Sequence, residues 1–270
     1  MGPEIPLPAD ALVRLKDLIN REFGEDSAVA SVHQAGKGGN NANHVVVKMQ
    51  KDGTHFGLKK PSRGAANGND NEKLVADLAV CLGIPNACPV VQTKEIDFIP
   101  AFSGQTVNVI RWLPNPKTLD ELTPDQKKAM SAAKGKGSFY FRMGEWMAFG
   151  LMFGVRDRAN DGNWAVDSND LDCVVMIDLE EALGGPGQFA DYSWLRDYVD
   201  LTQAKEQRFK YRPLRLFCQG YFTLWKKFVA REKEVREKLH QHSFAAGFQC
   251  EYMTKKPDVV LRDFLGLLCN

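Results

Sequence analysis

Three oxygen-bearing side chains within one short stretch, residues 154–185, could do chemistry together. Asp157 follows an apolar segment, Asn163 lies six residues further on, and Asp178 ends the apolar run CVVMI. Carboxylate and amide oxygens are hard ligands of the kind that Mg²⁺ binds. A carboxylate at the end of an apolar strand is costly to ionise without a partner, so Asp178 requires one. The pattern predicts a divalent-cation site rather than a surface hairpin with incidental acids.

Two short strands are expected to bring these side chains together. WAVD (164–167) and DCVVMID (172–178) have the composition of strands, and the polar segment SNDLD joins them as a turn. In such a hairpin Asn163, just before the first strand, lies near Asp178, at the end of the second. Two oxygen ligands would thus converge on one cation.

A glycine-rich loop in the N-terminal half could hold phosphate groups. AGKGGNNAN (35–43) joins two strand candidates, AVASVHQ and HVVVKMQ, and contains Gly36, Gly38 and Gly39. Backbone N–H groups of a glycine-rich turn can approach phosphate oxygens closely. A plain flexible hairpin also explains this loop, so its interpretation depends on the residues that follow.

A lysine on the third strand candidate could contact the phosphates. Within THFGLKK (54–60), alternation puts Gly57 and Lys59 on one face of the strand and Lys60 on the other. A small residue at Gly57 suits a flat adenine ring on the Lys59 face, and Lys60 is the alternative contact. Glu72, in the first turn of a helix predicted from residue 69, is expected to pair with Lys59.

Together these residues are the parts that phosphoryl transfer requires. The reaction involves little covalent work by the protein, so catalysis is mostly positioning and charge neutralisation. One Asp accepts the proton of an acceptor hydroxyl, an amide and a second carboxylate hold Mg²⁺, and a lysine held by a helix glutamate binds the phosphates. The sequence therefore predicts ATP and Mg²⁺ as ligands.

The stretch DRANDGNW (157–164), followed by VVMID (174–178), resembles the catalytic core of type II phosphatidylinositol 4-kinases, actin-fragmin kinase and related phosphatidylinositol 3-/4-kinase-like proteins. Bacterial HipA-type kinases and several secreted bacterial effector kinases are similar at a greater distance. The resemblance covers roughly residues 28–185. It implies Asp157 as the catalytic base. Arg158, the next residue, is a further candidate catalytic residue. The resemblance also implies Lys59 on the ATP phosphates, and Asn163 and Asp178 as magnesium ligands.

The metal-binding loop departs from the pattern of that family. The family usually has Asn five residues after the catalytic Asp, where this chain has Gly162. An extra residue in the loop would make Asn163 the ligand; otherwise Asp161 takes that role. The departure also leaves open a pseudokinase, which would bind nucleotide or a partner without chemistry.

The order of elements predicts an α+β protein with a two-lobed, protein-kinase-like fold. The chain is mostly β up to Trp112 and mostly helical after it. We expect a helical extension over residues 1–26, a β-rich N-lobe over 27–113 and a mostly helical C-lobe over 114–270. The hinge between the lobes of such folds would lie at Arg111, Trp112 and Leu113. Backbone groups there would contact the adenine edge, with Trp112 or Leu113 covering the ring; an edge strand is the alternative interpretation.

Composition restricts the classes of partner. The 270 residues carry a formal net charge of +1, so no global field favours nucleic acid or a membrane surface. The most apolar stretch, MGEWMAFGLMFG, is too short for a transmembrane segment and contains Glu145. The six cysteines form no C-x-x-C pair, as expected for reduced thiols in the cytosol. We expect a cytoplasmic protein, or one delivered into a host cytosol if it is a secreted effector.

The segment after Asp178, residues 179–200, bears on the identity of the acceptor. Its acids outnumber its single arginine, with Glu180, Glu181, Asp191, Asp197 and Asp200 against Arg196. A kinase for phosphoinositide headgroups at an anionic bilayer would place Lys and Arg here. The sign of the charge therefore favours a protein acceptor over a lipid headgroup. Transfer of AMP in place of phosphate, on the same fold, is a further alternative.

Overall fold

The computed structural model describes most of the chain. The described residues are 2–35, 44–51, 53–60, 67–132, 139–158, 160–184, 192, 195, 198, 200–207, 210–248 and 251–269.

The N-terminal lobe is built on a five-stranded antiparallel sheet in the order β1-β2-β3-β5-β4. One face of this sheet packs its valine, leucine and phenylalanine side chains against helix α1. Leu15, Leu18 and Ile19 of α1 are buried there, as their helical spacing indicates. The elements are α1 (Ala9–Phe23), β1 (Val29–Gln34), β2 (His44–Met49), β3 (His55–Lys59), β4 (Val90–Thr93) and β5 (Val107–Arg111).

The opposite face of the sheet packs against helix α2 (Gly68–Cys81). Asn108 on β5 donates a hydrogen bond from Nδ2 to the backbone oxygen of Asn69 at 3.1 Å. Lys59 lies on this face, because it pairs with Asn108 on one side and with His44 on the other. The sheet therefore presents Lys59 to the helix that carries Glu72.

The C-terminal lobe is mostly helical and is centred on the buried helix α4. This helix packs tightly on α6 at Gly144 and Gly220, where an added methyl group would overlap a backbone carbonyl of the other helix. A three-stranded sheet, in the order β6-β7-β8, lies beside them. In the described part of the chain, no helix is both long and apolar enough to cross a bilayer. The elements are β6 (Pro116–Thr118), α3 (Pro124–Ser131), α4 (Phe139–Met152), β7 (Trp164–Asp167), β8 (Asp170–Met176), α5 (Leu201–Gln207), α6 (Arg212–His240), α7 (Glu251–Thr254) and α8 (Pro257–Cys269).

Two prolines mark elements at the start of the C-terminal lobe. Pro116 lies on the edge strand β6, where the missing N–H group is tolerated. A 3-10 turn covers residues 119–121, and α3 begins at Pro124. Proline is favoured at the first position of a helix, and the Thr123 side chain caps this one.

Candidate functional site

Lys59 is the centre of a buried ion cluster that joins the two lobes. Its side chain is 11% exposed, lies 3.3 Å from Glu72 Oε1 and 3.4 Å from Glu180 Oε2, and donates a short hydrogen bond to Asp178 Oδ1. Asn108 Nδ2 holds the second oxygen of Glu72 at 2.9 Å. Three carboxylates around one ammonium group leave an excess of negative charge, which favours a cation nearby.

Electrostatic interactions keep both members of the Lys59–Asp178 pair charged. Burial by itself lowers the pKa of Lys59, but the neighbouring carboxylates outweigh it and raise the pKa well above its ordinary value. Burial raises the pKa of Asp178, but Lys59 and then Arg158 outweigh it and hold that pKa below its usual value. The site therefore presents an ammonium group and a carboxylate at neutral pH.

The β7–β8 hairpin brings residue 163 beside the end of β8. Trp164 pairs with Met176, and the N–H of Ile177 donates to the carbonyl of Asn163 at 3.0 Å. Asp178 follows directly, with 43% of its side chain exposed. The hairpin thus places Asn163 and Asp178 on neighbouring backbone segments, and Asp178 contacts Lys59.

Asp157 and Asp178 both have left-handed backbone conformations, with φ of +54° and +58°. Such values are uncommon outside glycine and persist only where surrounding contacts hold them. Aspartate tolerates this conformation better than most residues because its short polar side chain can bond locally. The backbone conformation therefore favours aspartate over most other residues at both positions.

Arg158 supplies contacts that hold these segments in place. It is only 1% exposed, and its guanidinium donates to four backbone carbonyls. The acceptors are Arg156 at 2.6 Å, Asn163 at 3.1 Å, Ile177 at 2.7 Å and Asp178 at 2.8 Å. Arg158 is a candidate catalytic residue by its place beside Asp157, but its four backbone contacts are those of a residue that positions the loop and the end of β8.

Substitution of Arg158 by lysine is expected to destabilise the fold strongly. One ammonium group cannot reproduce a planar fork that serves four acceptors, so buried carbonyls lose their donors. We expect the free energy of unfolding to fall by about 3 kcal/mol, measured by denaturant unfolding. Arg156→Lys is the matched control, because Arg156 is exposed. Equal stability of the two variants would contradict this role.

In the loop between Asp157 and β7, the two candidate ligands Asn163 and Asp161 have different neighbours. Residues 161–163 form a 3-10 turn, which accommodates the extra residue of this loop. The Asn163 amide is buried and donates from Nδ2 to Asp157 Oδ2 at 2.7 Å and to its carbonyl at 2.8 Å. Asp161 is directed towards Lys127 on α3, with 3.7 Å between Oδ2 and Nζ.

Two aromatic rings cover the face of the sheet around Gly57. A Cβ atom on Gly57 would lie 2.9 Å from His44 Nε2 and 3.0 Å from the Trp112 indole. The rings of His44 and Trp112 are nearly perpendicular, with centroids 5.1 Å apart. A side chain at position 57 would therefore overlap these rings, which requires glycine. A base bound on this face would lie against the rings.

Two residues of this surface, His44 and Asn108, were missed in the sequence analysis. Both lie directly opposite Lys59, on β2 and β5. The register of the sheet, once known, is the signal that identifies them, since residues opposite one another share a face.

The predicted hinge segment is largely engaged within the protein. The N–H groups of Arg111 and Trp112 donate to the carbonyls of Pro89 and His55, each at 3.0 Å. The Arg111 side chain lies on the other face of the sheet, with Nη2 3.6 Å from Glu25 Oε2. Backbone contacts to an adenine edge from this segment would therefore come from its carbonyl groups and from Leu113.

Lys60 and the glycines of the loop are the other predicted phosphate contacts. Lys60 lies on the opposite face of β3 from Lys59, and its Nζ donates to the carbonyl of Ala101 at 3.1 Å. Of the two lysines, the structure thus directs only Lys59 into the ion cluster. Gly36, Gly38 and Gly39 lie outside the described residues.

His44 is expected to make the stability of the fold depend on pH. Burial, and then the charge of Lys59, lower the pKa of His44 to about 4. As pH falls below about 6.5, the unfolded chain takes up a proton that the folded protein does not, so stability is lost between about pH 6.5 and pH 4. We expect this loss to be about 3 kcal/mol relative to His44→Phe, measured by denaturant unfolding. His240→Phe, at an exposed position, should keep the wild-type dependence; identical curves for His44→Phe and wild type would contradict the prediction.

Comparisons with known proteins identify the fold. No protein-family model matches the chain, and no curated protein matches it. The structure is similar to that of the Helicobacter pylori proinflammatory kinase CtkA, with a TM-score of 0.50 and 11% identity, covering 87% of this chain and 96% of that one. Choline kinase LicA from Streptococcus pneumoniae aligns with a TM-score of 0.37 and 14% identity, over 93% of this chain and 98% of that one. The likeness to CtkA confirms the predicted α+β, two-lobed kinase-like fold.

Proposed function

We propose that this protein is a kinase that uses ATP and Mg²⁺ to transfer the γ-phosphoryl group to a hydroxyl of a protein. The observation that carries the proposal is the contact of Lys59 with both Glu72 and Asp178, across the two lobes. A likeness of fold alone would also fit a protein without chemistry. We further propose membership of the phosphatidylinositol 3-/4-kinase-like group, on DRANDGNW and VVMID, and lobe boundaries at residues 27–113 and 114–270.

The residues of the site suit a magnesium ion. Asp178 supplies an ionised, half-exposed carboxylate and Asn163 supplies an amide oxygen. Within the described residues, no group of three His, Cys, Asp or Glu side chains could hold a metal by itself. Magnesium is commonly bound by one or two protein oxygens together with substrate phosphates and water, so two ligands are enough. When bound, the ion neutralises charge on the phosphate oxygens.

Lys59 and Asp157 would act on the two substrates. Lys59 would exchange its hydrogen bond with Asp178 for the nucleotide phosphates, which frees that carboxylate for the metal. Asp157 is exposed, and its carboxylate would take the proton of the acceptor hydroxyl. That oxygen then bonds to the γ-phosphorus, the bond from phosphorus to the bridging oxygen breaks, and ADP leaves. Glu72 and Arg158 hold these groups in place.

A protein acceptor is supported by the sign of the charge after Asp178. Glu181 is exposed at the start of this segment, where a kinase of anionic lipid headgroups would need cations. The argument does not extend to every acid of the segment. Glu180 lies against Lys59, and Asp200 accepts hydrogen bonds from the N–H groups of Thr202 and Gln203 at the start of α5. Asp191, Asp197 and Arg196 lie outside the described residues.

Transfer of labelled phosphate tests this function directly. The protein is incubated with Mg²⁺, a cell lysate and ATP that is labelled at either the γ or the α position. Label from the γ position on protein bands supports the proposal, and label on phosphoinositides assigns a lipid acceptor. Label from the α position alone would show AMP transfer. Binding of ATP without transfer would show a pseudokinase, and no binding by the wild type would overturn the nucleotide site itself.

A further inference from the structure

One side chain of helix α2 makes two hydrogen bonds to the turn that follows Asp178. Asn71 Nδ2 donates to the backbone carbonyl of Glu180 at 3.1 Å and to that of Ala182 at 3.0 Å. A primary amide has two N–H donors, so both are used on this turn. Asn71 immediately precedes Glu72, the helix partner of Lys59.

The turn itself is compact and attached to the C-terminal lobe as well. It begins at Asp178 and ends at Leu183, whose φ values are +58° and +63°. The N–H of Ala182 donates to the carbonyl of Leu179 at 3.2 Å, and that of Leu183 to the carbonyl of Phe153, just beyond α4, at 3.0 Å. A strained turn of this kind persists only where its surroundings hold it.

Helix α2 therefore reaches Asp178 by two routes. The first is the chain of charges from Glu72 through Lys59 to Asp178. The second is Asn71, whose side chain donates hydrogen bonds to the backbone of the turn. The first route is broken when Lys59 moves to the phosphates, whereas the second does not involve Lys59 and can remain.

We propose that Asn71 is a positioning residue for Asp178. It keeps the turn bound to α2, so the Asp178 carboxylate stays in position for the metal after its hydrogen bond with Lys59 is broken. The proposal rests on the proposed function only for the identity of the ligands. An Asn71 with a merely structural role would affect stability alone, whereas a positioning role also changes the mobility of the turn and the dependence of activity on Mg²⁺.

The test replaces Asn71 by aspartate, which has the same shape but puts a carboxylate against two carbonyl oxygens. Asn67→Asp is the matched control, since it adds the same charge one turn earlier in an exposed position. Hydrogen–deuterium exchange of the ligand-free proteins is measured at the amides of residues 179–183, and turnover is measured as Mg²⁺ is varied. We expect faster exchange in Asn71→Asp only, and a Mg²⁺ requirement raised by about 10- to 100-fold, the usual effect of losing a partner behind a metal ligand.

The outcomes separate this proposal from the proposed function. Unchanged exchange at residues 179–183 in folded Asn71→Asp overturns the positioning role, whatever the activity. Faster exchange with an unchanged Mg²⁺ requirement also overturns it, because the turn would then move without effect on the metal. A third outcome is faster exchange in Asn71→Asp together with a wild type that neither binds nor turns over Mg-ATP. Asn71 would then still hold the turn, and only the kinase function would be refuted. Asn71→Ala, which removes the donors without adding charge, should give a smaller change in the same direction.

Discussion

Asp178→Asn is expected to reduce phosphoryl transfer by about a thousandfold, since a charged group that stabilises the transition state would be lost. Asparagine keeps the size of the side chain, but it removes the negative charge that interacts with Lys59 and Arg158. ATP binding in the absence of Mg²⁺ should not weaken, because the proposed contact of Asp178 is with the metal and its loss leaves Lys59 available to the phosphates. The measurement is turnover at increasing Mg²⁺, together with ATP affinity with and without the ion.

Asp170→Asn is the matched control for this change. Asp170 is an exposed residue of the same hairpin, at the start of β8, and the substitution removes the same charge. Its turnover should stay within about twofold of the wild type, as expected for a surface residue away from the chemistry. Turnover by Asp178→Asn within about tenfold of the wild type would contradict the metal role, since that loss is too small for a metal ligand.

The sequence predicts those features of the site that depend on residues close together along the chain. The hairpin of β7 and β8 follows from two apolar strands and a polar turn, and this alone brings Asn163 towards Asp178. Alternation along β3 separates Lys59 from Lys60 because successive side chains point to opposite faces. The pairing of Lys59 with Glu72 required only a strand followed by a helix, and the structure shows that contact.

Contacts made between distant segments could not be predicted in this way. Arg158 has four carbonyl acceptors on three segments, and the sequence does not distinguish such an arginine from one that faces a substrate. The role of His44 depends on the register of β2 against β3, and that of Asn71 on the path of the turn after Asp178. Each requires knowledge of which backbone lies beside the residue, and periodicity carries no such information.

Asp157→Asn is expected to reduce the rate of transfer by about a thousandfold while the KM for ATP stays within about twofold, because general-base catalysis contributes 10²- to 10⁴-fold to the rate. The geometry should survive, since an amide oxygen at this position can still accept the hydrogen bond that Asn163 Nδ2 gives to Asp157 Oδ2 at 2.7 Å. The Mg²⁺ requirement should also stay near that of the wild type. Steady-state kinetics at varied ATP and Mg²⁺ therefore distinguish this variant from Asp178→Asn, which changes the metal dependence.

Asp161→Asn is the control on the same loop, and it also decides between the two candidate ligands. Asp161 is directed towards Lys127, so its loss should change turnover by less than about threefold, as for an exposed ion pair. If Asp161 were the magnesium ligand in place of Asn163, this variant would instead show the raised Mg²⁺ requirement expected of Asp178→Asn. If Asp157→Asn transfers phosphate at a rate within about tenfold of the wild type, another group accepts the proton, because loss of a general base lowers the rate by about a hundredfold or more.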